Sequence, residues 1–490
     1  MLWIALFLPQ LPLQALRWSE PGLAVALPLA VAEQGRLLGA NRAAQALGVR
    51  IGQNTATALA LASQLLVLPR DPAREVACIE QLALALAALT PQLYPQEGGV
   101  LIEVQACLRL FGGLRRLLRR TRALADVAGV EVRLGCAPTA LGAWLLASAP
   151  VARRRCLREP SHTRLLDRVP LPALAGLLSL RPTQWTLFES LGLRTLGALR
   201  ALPREGLQRR FGPALASTLD RAYGLAPDPR PCFEPPERFE LKRELLHRAD
   251  SAELLSAAVA ALLPALTGWL RLRWQAASVL RLRLGHDPGR TRPSATVLRL
   301  ALSTPSRDPT HLALLWRERL QRQTLAAPVY ELTLTLESAV AQDGQPGELL
   351  PQTGPRNNGH AVLLDRLLAR LGPECVQRWQ PCADHRPERA QRPLSAGTTV
   401  TALRPAAVML ARPAWLLPAP LPLASDAHGR PLHDGRALRL CSPAERIESG
   451  WFDGALVRRD YHVAEGSDHR LRWVYREQPA GGWFLHGWFG

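Results

Sequence analysis

The segment best suited to chemistry spans residues 95–104, which read PQEGGVLIEV and place two carboxylates, Glu97 and Glu103, around a predicted strand. Metal-assisted transfer of a nucleotidyl or phosphoryl group requires two or three clustered carboxylates that hold Mg²⁺ against the phosphates and the attacking hydroxyl. Gly98 and Gly99 can offer a cation only their backbone carbonyls, and one glutamate alone cannot assemble a two-metal site. The sequence therefore predicts no catalytic metal centre on this strand.

The cysteines form neither a metal-binding nor a disulfide pattern. All eight are scattered through the chain without a C-x-x-C spacing, which is typical of reduced thiols. Cys382 and His385 stand three residues apart, but no second pair of this kind accompanies them. We therefore predict neither a metal site nor a cofactor.

The charge of the chain points to a polyanionic partner. Its 490 residues include 60 basic and 41 acidic side chains, which give a net charge of +19 and a pI near 10.9. Nucleic acid is the first candidate for such a surface, and an anionic membrane is a distant second. The apolar stretch 2–9 lacks a basic flank and a cleavage site, so it is predicted to be a buried strand rather than a signal peptide. We expect a cytoplasmic, nucleoid-associated protein that does not bind membranes.

Strands and helices alternate before residue 160, as in an α+β core. Strands are predicted over residues 1–10, 100–104 and 130–136, and helices over residues 73–89, 114–125 and 139–149. The helix over residues 114–125 turns its leucines inward and five arginines outward. That arginine face is either a solvated exterior or a DNA contact, and both interpretations stay open.

Residues 171–224 are predicted to contain only short helices. Gly192 and Gly212 each lie between two of these helices. A glycine turn before a helix start exposes backbone N–H groups, which is how helix-hairpin-helix units bind DNA phosphates without reading the base sequence. The alternative is an ordinary pair of packed helices.

Residues 237–338 follow a βαββαβ pattern. Between positions 279 and 284 leucines alternate with Arg281 and Arg283, which predicts a sheet with one apolar face and one arginine face. Arg273 and Arg299 add to the basic side chains, and such a face suits the phosphate backbone of DNA. The predicted DNA contacts are therefore Gly192, Gly212, Arg273, Arg281, Arg283 and Arg299.

The C-terminal part is separated by residues 339–360, which are a linker by composition. Residues 445–490 are rich in aromatic side chains, with an alternation that is typical of strands. Two interpretations stay open for this end of the chain: a small β core, or an aromatic surface that docks a partner.

The order of these parts resembles that of a Y-family translesion DNA polymerase, and it is most similar to the ImuB-type, polymerase-like members of that family. The residues that carry the resemblance read LVLPRDP at 66–72, LRLFGG at 108–113, RIESGWFDG at 446–454 and WFLHG at 483–487. The resemblance implies palm and fingers over residues 1–160, with the fingers at about 11–72. It implies a helix-hairpin-helix thumb over 161–233, a little finger over 237–338 and a C-terminal interaction region over 361–490.

The resemblance also implies that the polymerase chemistry is lost. Leu8 lies where the first metal-binding Asp is expected, and Gly98 and Gly99 replace the Asp-Glu pair. Arg42 and Gln45 replace the Tyr and Arg that hold the incoming triphosphate. Trp144 lies at or near the position of the palm lysine.

An adaptor in SOS-type, mutagenic translesion synthesis is the function that this resemblance implies. Its expected partners are DNA, a RecA-like protein, an error-prone DnaE-type polymerase and the sliding clamp. For the clamp the linker offers only Gln345, Leu349 and Leu350, without the terminal aromatic residue of the usual peptide. An active polymerase and a general DNA-binding scaffold are the alternatives.

Overall fold

The computed structural model describes residues 1–17, 27–157, 159–178, 180–286, 294–342, 358–395, 412–479 and 481–490. The chain divides into two compact units, Met1–Arg370 and Leu371–Gly490. The predicted α+β class is confirmed, because both strands and helices recur along the chain.

The N-terminal part is built on an antiparallel sheet in the order β5-β6-β1-β7. Residues of β1 alternate between its two faces: Ile4 and Leu6 pack against α4 and α5, whereas Trp3 and Ala5 pack against α6. A smaller sheet, β3-β2-β4, is covered by α2 and α3. The elements are β1 (Trp3–Phe7), α1 (Leu11–Arg17), β2 (Leu29–Glu33), β3 (Arg36–Ala40), α2 (Arg42–Ala46), α3 (Thr55–Leu61), β4 (Leu66–Pro69), α4 (Pro72–Leu86), β5 (Leu93–Gln96), β6 (Gly99–Glu103), α5 (Leu114–Ala128), β7 (Arg133–Ala137) and α6 (Ala140–Ser148).

Short helices follow, as the sequence predicts. Their core contains the stacked rings of Phe188 and Phe211, whose centroids are 4.5 Å apart, and it is continuous with the residues that α6 buries. The helices are α7 (Glu159–Leu166), α8 (Pro182–Ser190), α9 (Leu196–Arg200), α10 (Arg204–Phe211) and α11 (Pro213–Tyr223).

The predicted βαββαβ pattern is also confirmed. Its sheet has the order β10-β9-β11-β8, and the leucines of β9 are buried under α12 and α13. The elements are β8 (Glu240–Ala249), α12 (Ala252–Leu272), β9 (Gln275–His286), β10 (Ala295–Ser306), α13 (Pro309–Gln321) and β11 (Val329–Ala341), followed by α14 (Asn358–Leu371). Most of α14 lies within residues 361–490, which the sequence predicts to be the C-terminal region. In the structure the Asp365 carboxylate accepts the Ser303 N–H at 2.7 Å, which ties this helix to β10.

Helix α12 is apolar on most of its surface because it packs on two sides. Among the described residues it is the one helix that is long and apolar enough to cross a membrane, and 67% of that stretch is buried within the protein. One side covers the sheet, and the other meets α4 at Gly268. A Cβ added at Gly268 would lie 1.7 Å from the Leu84 carbonyl oxygen, so the two helices touch through their backbones.

We expect Gly268→Ala to lower the free energy of unfolding by about 1–3 kcal/mol, because the new methyl group forces α12 away from α4. Gly206→Ala is the matched control, since Gly206 also lies within a helix but a Cβ there meets nothing within 4 Å. The control should raise the free energy of unfolding by about 0.5–1 kcal/mol. Urea denaturation followed by tryptophan fluorescence measures both variants, and equal effects would contradict the close helix contact.

The C-terminal unit is a β structure. Most of its strands form one sheet in the order β16-β15-β14-β21-β20-β19-β17, with β18 on β19, and β12 and β13 form a hairpin. The strands predicted in the aromatic end are confirmed. Part of a stretch rich in proline, leucine and alanine forms β14 from Trp415 onward. The strands are β12 (Gln377–Pro381), β13 (Gln391–Ser395), β14 (Trp415–Ser425), β15 (Pro431–His433), β16 (Arg436–Ala437), β17 (Arg439–Leu440), β18 (Glu445–Ser449), β19 (Val457–Glu465), β20 (Leu471–Glu477) and β21 (Trp483–Trp488).

Candidate functional site

The adjoining ends of β1 and β6 bring together three of the positions at which the resemblance implies lost ligands. Leu8 follows β1, and its N–H donates to the Gly98 carbonyl oxygen at 2.9 Å. Gly99 begins β6 and pairs with Phe7 of β1. Leu8 is only 2% exposed, so an aliphatic side chain fills the place where a metal ligand is expected.

The backbone leaves no room for a side chain at Gly99. A Cβ added there would lie 1.9 Å from the Leu6 carbonyl oxygen and 3.3 Å from Leu8 Cδ1. The oxygen belongs to the paired strand, so it cannot move away while the β1–β6 pairing is intact. Position 99 therefore accepts no carboxylate in this fold.

Gly98 adjoins an aromatic pair. A Cβ there would contact the Phe7 ring at 3.4 Å and the Trp144 ring at 3.6 Å, and its φ of +84° is one that L side chains rarely adopt. The two rings meet edge to face with centroids 5.5 Å apart, and Trp144 is 4% exposed. Trp144 thus belongs to the same cluster as Leu8, Gly98 and Gly99, which we call the closed palm position.

The residues at the closed palm position do not fit the Mg²⁺ that the polymerase family implies. Mg²⁺ requires near-octahedral oxygen ligands, usually including one or two carboxylates. Glu97 is exposed, and the Glu103 carboxylate accepts the Gln105 N–H at 3.0 Å. Within the described ranges no group of three or more His, Cys, Asp or Glu side chains is placed to hold a metal ion. No catalytic step through Mg²⁺ follows from this geometry.

Arg42 and Gln45 lie on α2, over the small sheet. Gln45 Nε2 donates to the Ala40 carbonyl oxygen at 2.8 Å, and Arg42 is exposed. In the described part of the chain no recorded contact joins either residue to the closed palm position. The structure therefore groups four of the six degenerate positions and leaves these two apart.

The arginine face predicted for the βαββαβ sheet exists, and its arginines are exposed. Arg281 lies opposite Arg299 of β10, as the alternation requires. Carboxylates from β11 share the face, however. Glu337 lies 2.8 Å from Arg299 and 3.5 Å from Arg281, and Glu331 lies 3.3 Å from Arg283. The charged residues that strand register and ion pairs place on this face include Lys242, Arg281, Arg283 and Arg299 with Glu240, Glu244, Glu331 and Glu337.

Four basic and four acidic side chains therefore face the same way. Arg281, Arg283 and Arg299 share one exposed face, as the alternation predicts, and carboxylates share that face with them. The alternation within β9 shows only which residues share one face of that strand. The acidic neighbours come from β8 and β11, and pairing with those strands is not visible in a local pattern.

Arg273 does not lie on this face, which corrects its predicted placement. It ends α12, where its guanidinium stacks on the Trp269 ring at 5.0 Å and donates to the Pro236 carbonyl oxygen at 3.0 Å. These contacts hold the segment at Pro235 and Pro236 against α12. The sequence showed the charge of Arg273 but not these contacts.

The two predicted hairpins differ in what their backbone can offer a phosphate. Helix α9, after Gly192, has its first N–H groups occupied: Leu196 donates to Val169, Gly197 to Asp167, and Ala198 to the Thr195 hydroxyl. Gly212 directly caps α11, with φ +86°. Pro213 at the first helical position brings no N–H, so Ala214 and Leu215 are left to present theirs. The turn at Gly212 leads into a helix of 11 residues, whereas α9 after Gly192 has 5 residues.

The predicted clamp-binding residues Gln345, Leu349 and Leu350 lie outside the described residues. In the C-terminal unit two tryptophans, Trp379 and Trp415, are 64% and 67% exposed and line a groove of about 600 Å³. Trp473 lies at the base of that groove. The unit therefore combines a buried aromatic core with exposed aromatic rings, and both interpretations of this region have a counterpart in the structure.

Comparison with known proteins agrees with this geometry. Residues 7–148 match the impB/mucB/samB family. The chain is 25% identical over 477 residues to the Protein ImuB of two Caulobacter vibrioides strains, which covers 91% of this chain and 100% of that protein. It is also 25% identical over 259 residues to DNA polymerase IV of Dehalococcoides mccartyi, covering 51% of this chain and 64% of the polymerase.

Among solved structures, a ternary complex of the polymerase Dbh is 15% identical, covers 69% of this chain and 98% of that chain, and has a TM-score of 0.39. DinB from Sulfolobus solfataricus is 13% identical and has a TM-score of 0.38, with 70% and 100% of the two chains covered. Residues 7–148 thus carry the impB/mucB/samB-family match, and the chain is similar to Protein ImuB over 91% of its length.

Proposed function

We propose that this chain is a non-catalytic, DNA-binding adaptor in SOS-type translesion synthesis and induced mutagenesis. The observation that carries the proposal is the closed palm position, where the Leu6 carbonyl oxygen excludes any side chain at residue 99. Two-metal catalysis depends on carboxylates that place cations against the charge developing in the transition state. A palm that has no space for a carboxylate at residue 99 and no carboxylate at Leu8 or Gly98 retains a polymerase-like body without the reaction.

Three features support DNA as the ligand of this body. The chain carries a net charge of +19, and almost all of its basic residues are arginines, whose planar guanidinium binds phosphate in a bidentate manner. The turn at Gly212 presents a helix start, and Arg281, Arg283 and Arg299 are exposed on one sheet face. Binding through these groups depends on charge and is independent of base sequence.

The adaptor role is supported by the C-terminal unit and by the ImuB relatives. Exposed tryptophans are side chains that anchor protein interfaces. We assign this surface to partners of the translesion complex, a RecA-like protein and an error-prone DnaE-type polymerase. The sliding clamp is a further partner, and cytoplasmic, nucleoid-associated localisation follows from DNA binding.

The carboxylates on the sheet face provide a direct test of its contact with DNA. We expect Glu337→Gln to raise the affinity for duplex DNA about 3- to 10-fold, since it releases Arg281 and Arg299 for phosphate and steepens the dependence on salt. Fluorescence anisotropy with a labelled duplex over a series of salt concentrations measures both effects. Glu80→Gln is the control, because it removes one negative charge at an exposed position of α4. If both variants bind alike, the sheet face does not contact DNA.

Primer extension tests the proposed lack of catalysis. The protein should bind a primer–template and add no nucleotide in the presence of Mg²⁺ and dNTPs. Extension by the same preparation would overturn the proposal.

A further inference from the structure

A cluster of arginines without ion pairs among the described residues lies on the outer side of α5, away from the sheet face. Helix α5 buries Leu117 and Leu118 against the sheet, so the arginines at 115, 119 and 122 project outward at helical spacing. Beside them runs the Arg-Arg-Arg stretch that follows α6. We call this surface the arginine groove, and its basic residues are Arg115, Arg119, Arg122, Arg133, Arg153, Arg154 and Arg155.

Backbone hydrogen bonds fix the Arg-Arg-Arg stretch along the free edge of β7. The Cys136 N–H donates to the Arg154 carbonyl oxygen at 2.8 Å, and the Cys156 N–H donates back to the Cys136 carbonyl oxygen at 2.8 Å. The stretch therefore runs as an added parallel segment next to Arg133. Two cavities of about 660 Å³ each adjoin there, and they share Arg122 and Arg155. The two cavities thus form one continuous basic surface.

The charges of the arginine groove are not neutralised within the protein. Asp126 and Glu131 are the acidic side chains along it, and none of the seven guanidinium groups forms an ion pair with any described residue. Arg154 Nε is buried and has no hydrogen-bond partner in the described structure. The sheet face differs, because every arginine on it has a carboxylate within 3.5 Å.

The lining of the groove identifies the kind of ligand. Protein partners are usually held by apolar or aromatic anchors that enter a pocket. The large apolar residues Leu118 and Leu134 in this groove are buried, at 5% exposure each, and the other apolar residues that line it are the smaller Ala123, Val132 and Ala152. Guanidinium groups without apolar anchors suit a regularly charged sugar-phosphate backbone instead. The ligand is therefore recognised by its phosphates.

We propose that the arginine groove is a second binding surface for duplex DNA, separate from the sheet face. Helix α12 lies between the two, since it packs on the sheet with one side and on α4 and α5 with the other. The inference rests on the proposed function because it takes DNA as the ligand. The inference adds a second DNA-binding site, which lies on the palm and is separated by α12 from the βαββαβ sheet face.

The test compares two charge-neutralised variants of the full chain. One carries Arg115→Gln, Arg119→Gln and Arg122→Gln, which preserves helix propensity. The other carries Arg281→Gln, Arg283→Gln and Arg299→Gln. Binding to a labelled 30-base-pair duplex is measured from about 50 to 200 mM salt. We expect the groove variant to lose at least about tenfold in affinity and to lower the salt slope by up to about 3, more than the sheet-face variant does. A third variant should show a similar loss of affinity, although its substitutions lie outside the helix: Arg153→Gln, Arg154→Gln and Arg155→Gln.

Each other outcome is informative. If the groove variants bind like the original protein while the sheet-face variant loses affinity, the inference fails and the proposed function stands. If the original protein does not bind DNA, both fail. If the groove variants lose binding to labelled poly-glutamate but keep their affinity for the duplex, the surface recognises acidic polypeptides and the inference is overturned.

Discussion

We expect Gly99→Ala to lower the free energy of unfolding of the first unit by about 3 kcal/mol or more. The added methyl carbon would be placed 1.9 Å from the Leu6 carbonyl oxygen, which is far inside the contact distance. Relief requires β6 to move away from β1, and these two central strands carry most of the buried residues of the sheet. Urea denaturation measures the loss, with Trp3 and Trp144 of this core as fluorescent reporters.

Gly98→Ala is the matched control for this prediction. Its Cβ meets the Phe7 and Trp144 rings at ordinary distances, 3.4 and 3.6 Å, so only the unfavourable φ of +84° adds a cost, about 1 kcal/mol. A Gly99→Ala effect no larger than that of Gly98→Ala would contradict the closed palm position.

The same geometry predicts that restoring the carboxylates does not restore a polymerase. We expect the variant with Leu8→Asp, Gly98→Asp and Gly99→Glu to lose the fold of the palm. The first substitution buries a charge at position 8, and the side chain at position 99 clashes with the Leu6 carbonyl oxygen. Circular dichroism and primer extension measure the outcome together. A folded, active triple variant would show that the protein lacks only the carboxylates and that the surrounding backbone leaves room for them.

The second large effect is a loss of stability of the C-terminal unit in mild acid, which we expect from His486. Its ring is 1% exposed, stacks near Trp473, and its Nδ1 accepts the Tyr461 hydroxyl at 2.7 Å. Burial lowers the pKa of His486 to about 4, with Arg459 adding to the shift and Glu388 opposing it. The ring is therefore neutral in the folded protein at neutral pH.

The sign of the effect follows from the two pKa values. The unfolded chain binds a proton at His486 below about pH 6.5, whereas the folded chain does so only below about pH 4. The free energy of unfolding consequently falls as the pH drops from about 6.5 to about 4, by on the order of 2 kcal/mol in total. Below pH 4 a separate loss begins, because the Arg386 guanidinium lowers the pKa of Asp453 to about 2.

Near-UV circular dichroism of the full chain in urea, at pH 7, 5.5 and 4.5, follows the aromatic core of this unit. We expect the double variant His486→Phe with Tyr461→Phe to keep the stacked rings and to lose the pH dependence between 6.5 and 4. His428→Gln, at an exposed turn, should keep it. An unchanged slope in the double variant would show that another group causes the acid sensitivity.

The secondary structure of this protein could largely be predicted from local patterns. The alternation of β9 and the periodicity of α4 and α5 correspond to observed elements. Such signals depend on neighbours within a few positions, which the sequence shows directly. The end of a strand is harder to predict where the strand continues beyond its apolar residues, as β11 does to Ala341.

The candidate site could be predicted only in part. The absence of carboxylates at Leu8, Gly98 and Gly99 was visible, but the steric closure depends on the pairing of Gly99 with Phe7, which brings the Leu6 carbonyl oxygen close. The charge balance of the sheet face and the arginine groove likewise depend on residues that are distant in sequence. The outward arginines of α5 were one local signal for the groove, and the run of arginines at 153–155 was a second.

The central claim is that a polymerase-like body binds DNA without catalysis, and one preparation tests it directly. The full chain is titrated onto a labelled primer–template by anisotropy, and the same samples then receive Mg²⁺ and dNTPs. We predict salt-dependent binding with no extended primer at any protein concentration that saturates the DNA. Extension that requires Mg²⁺ and rises with the bound fraction would contradict the account.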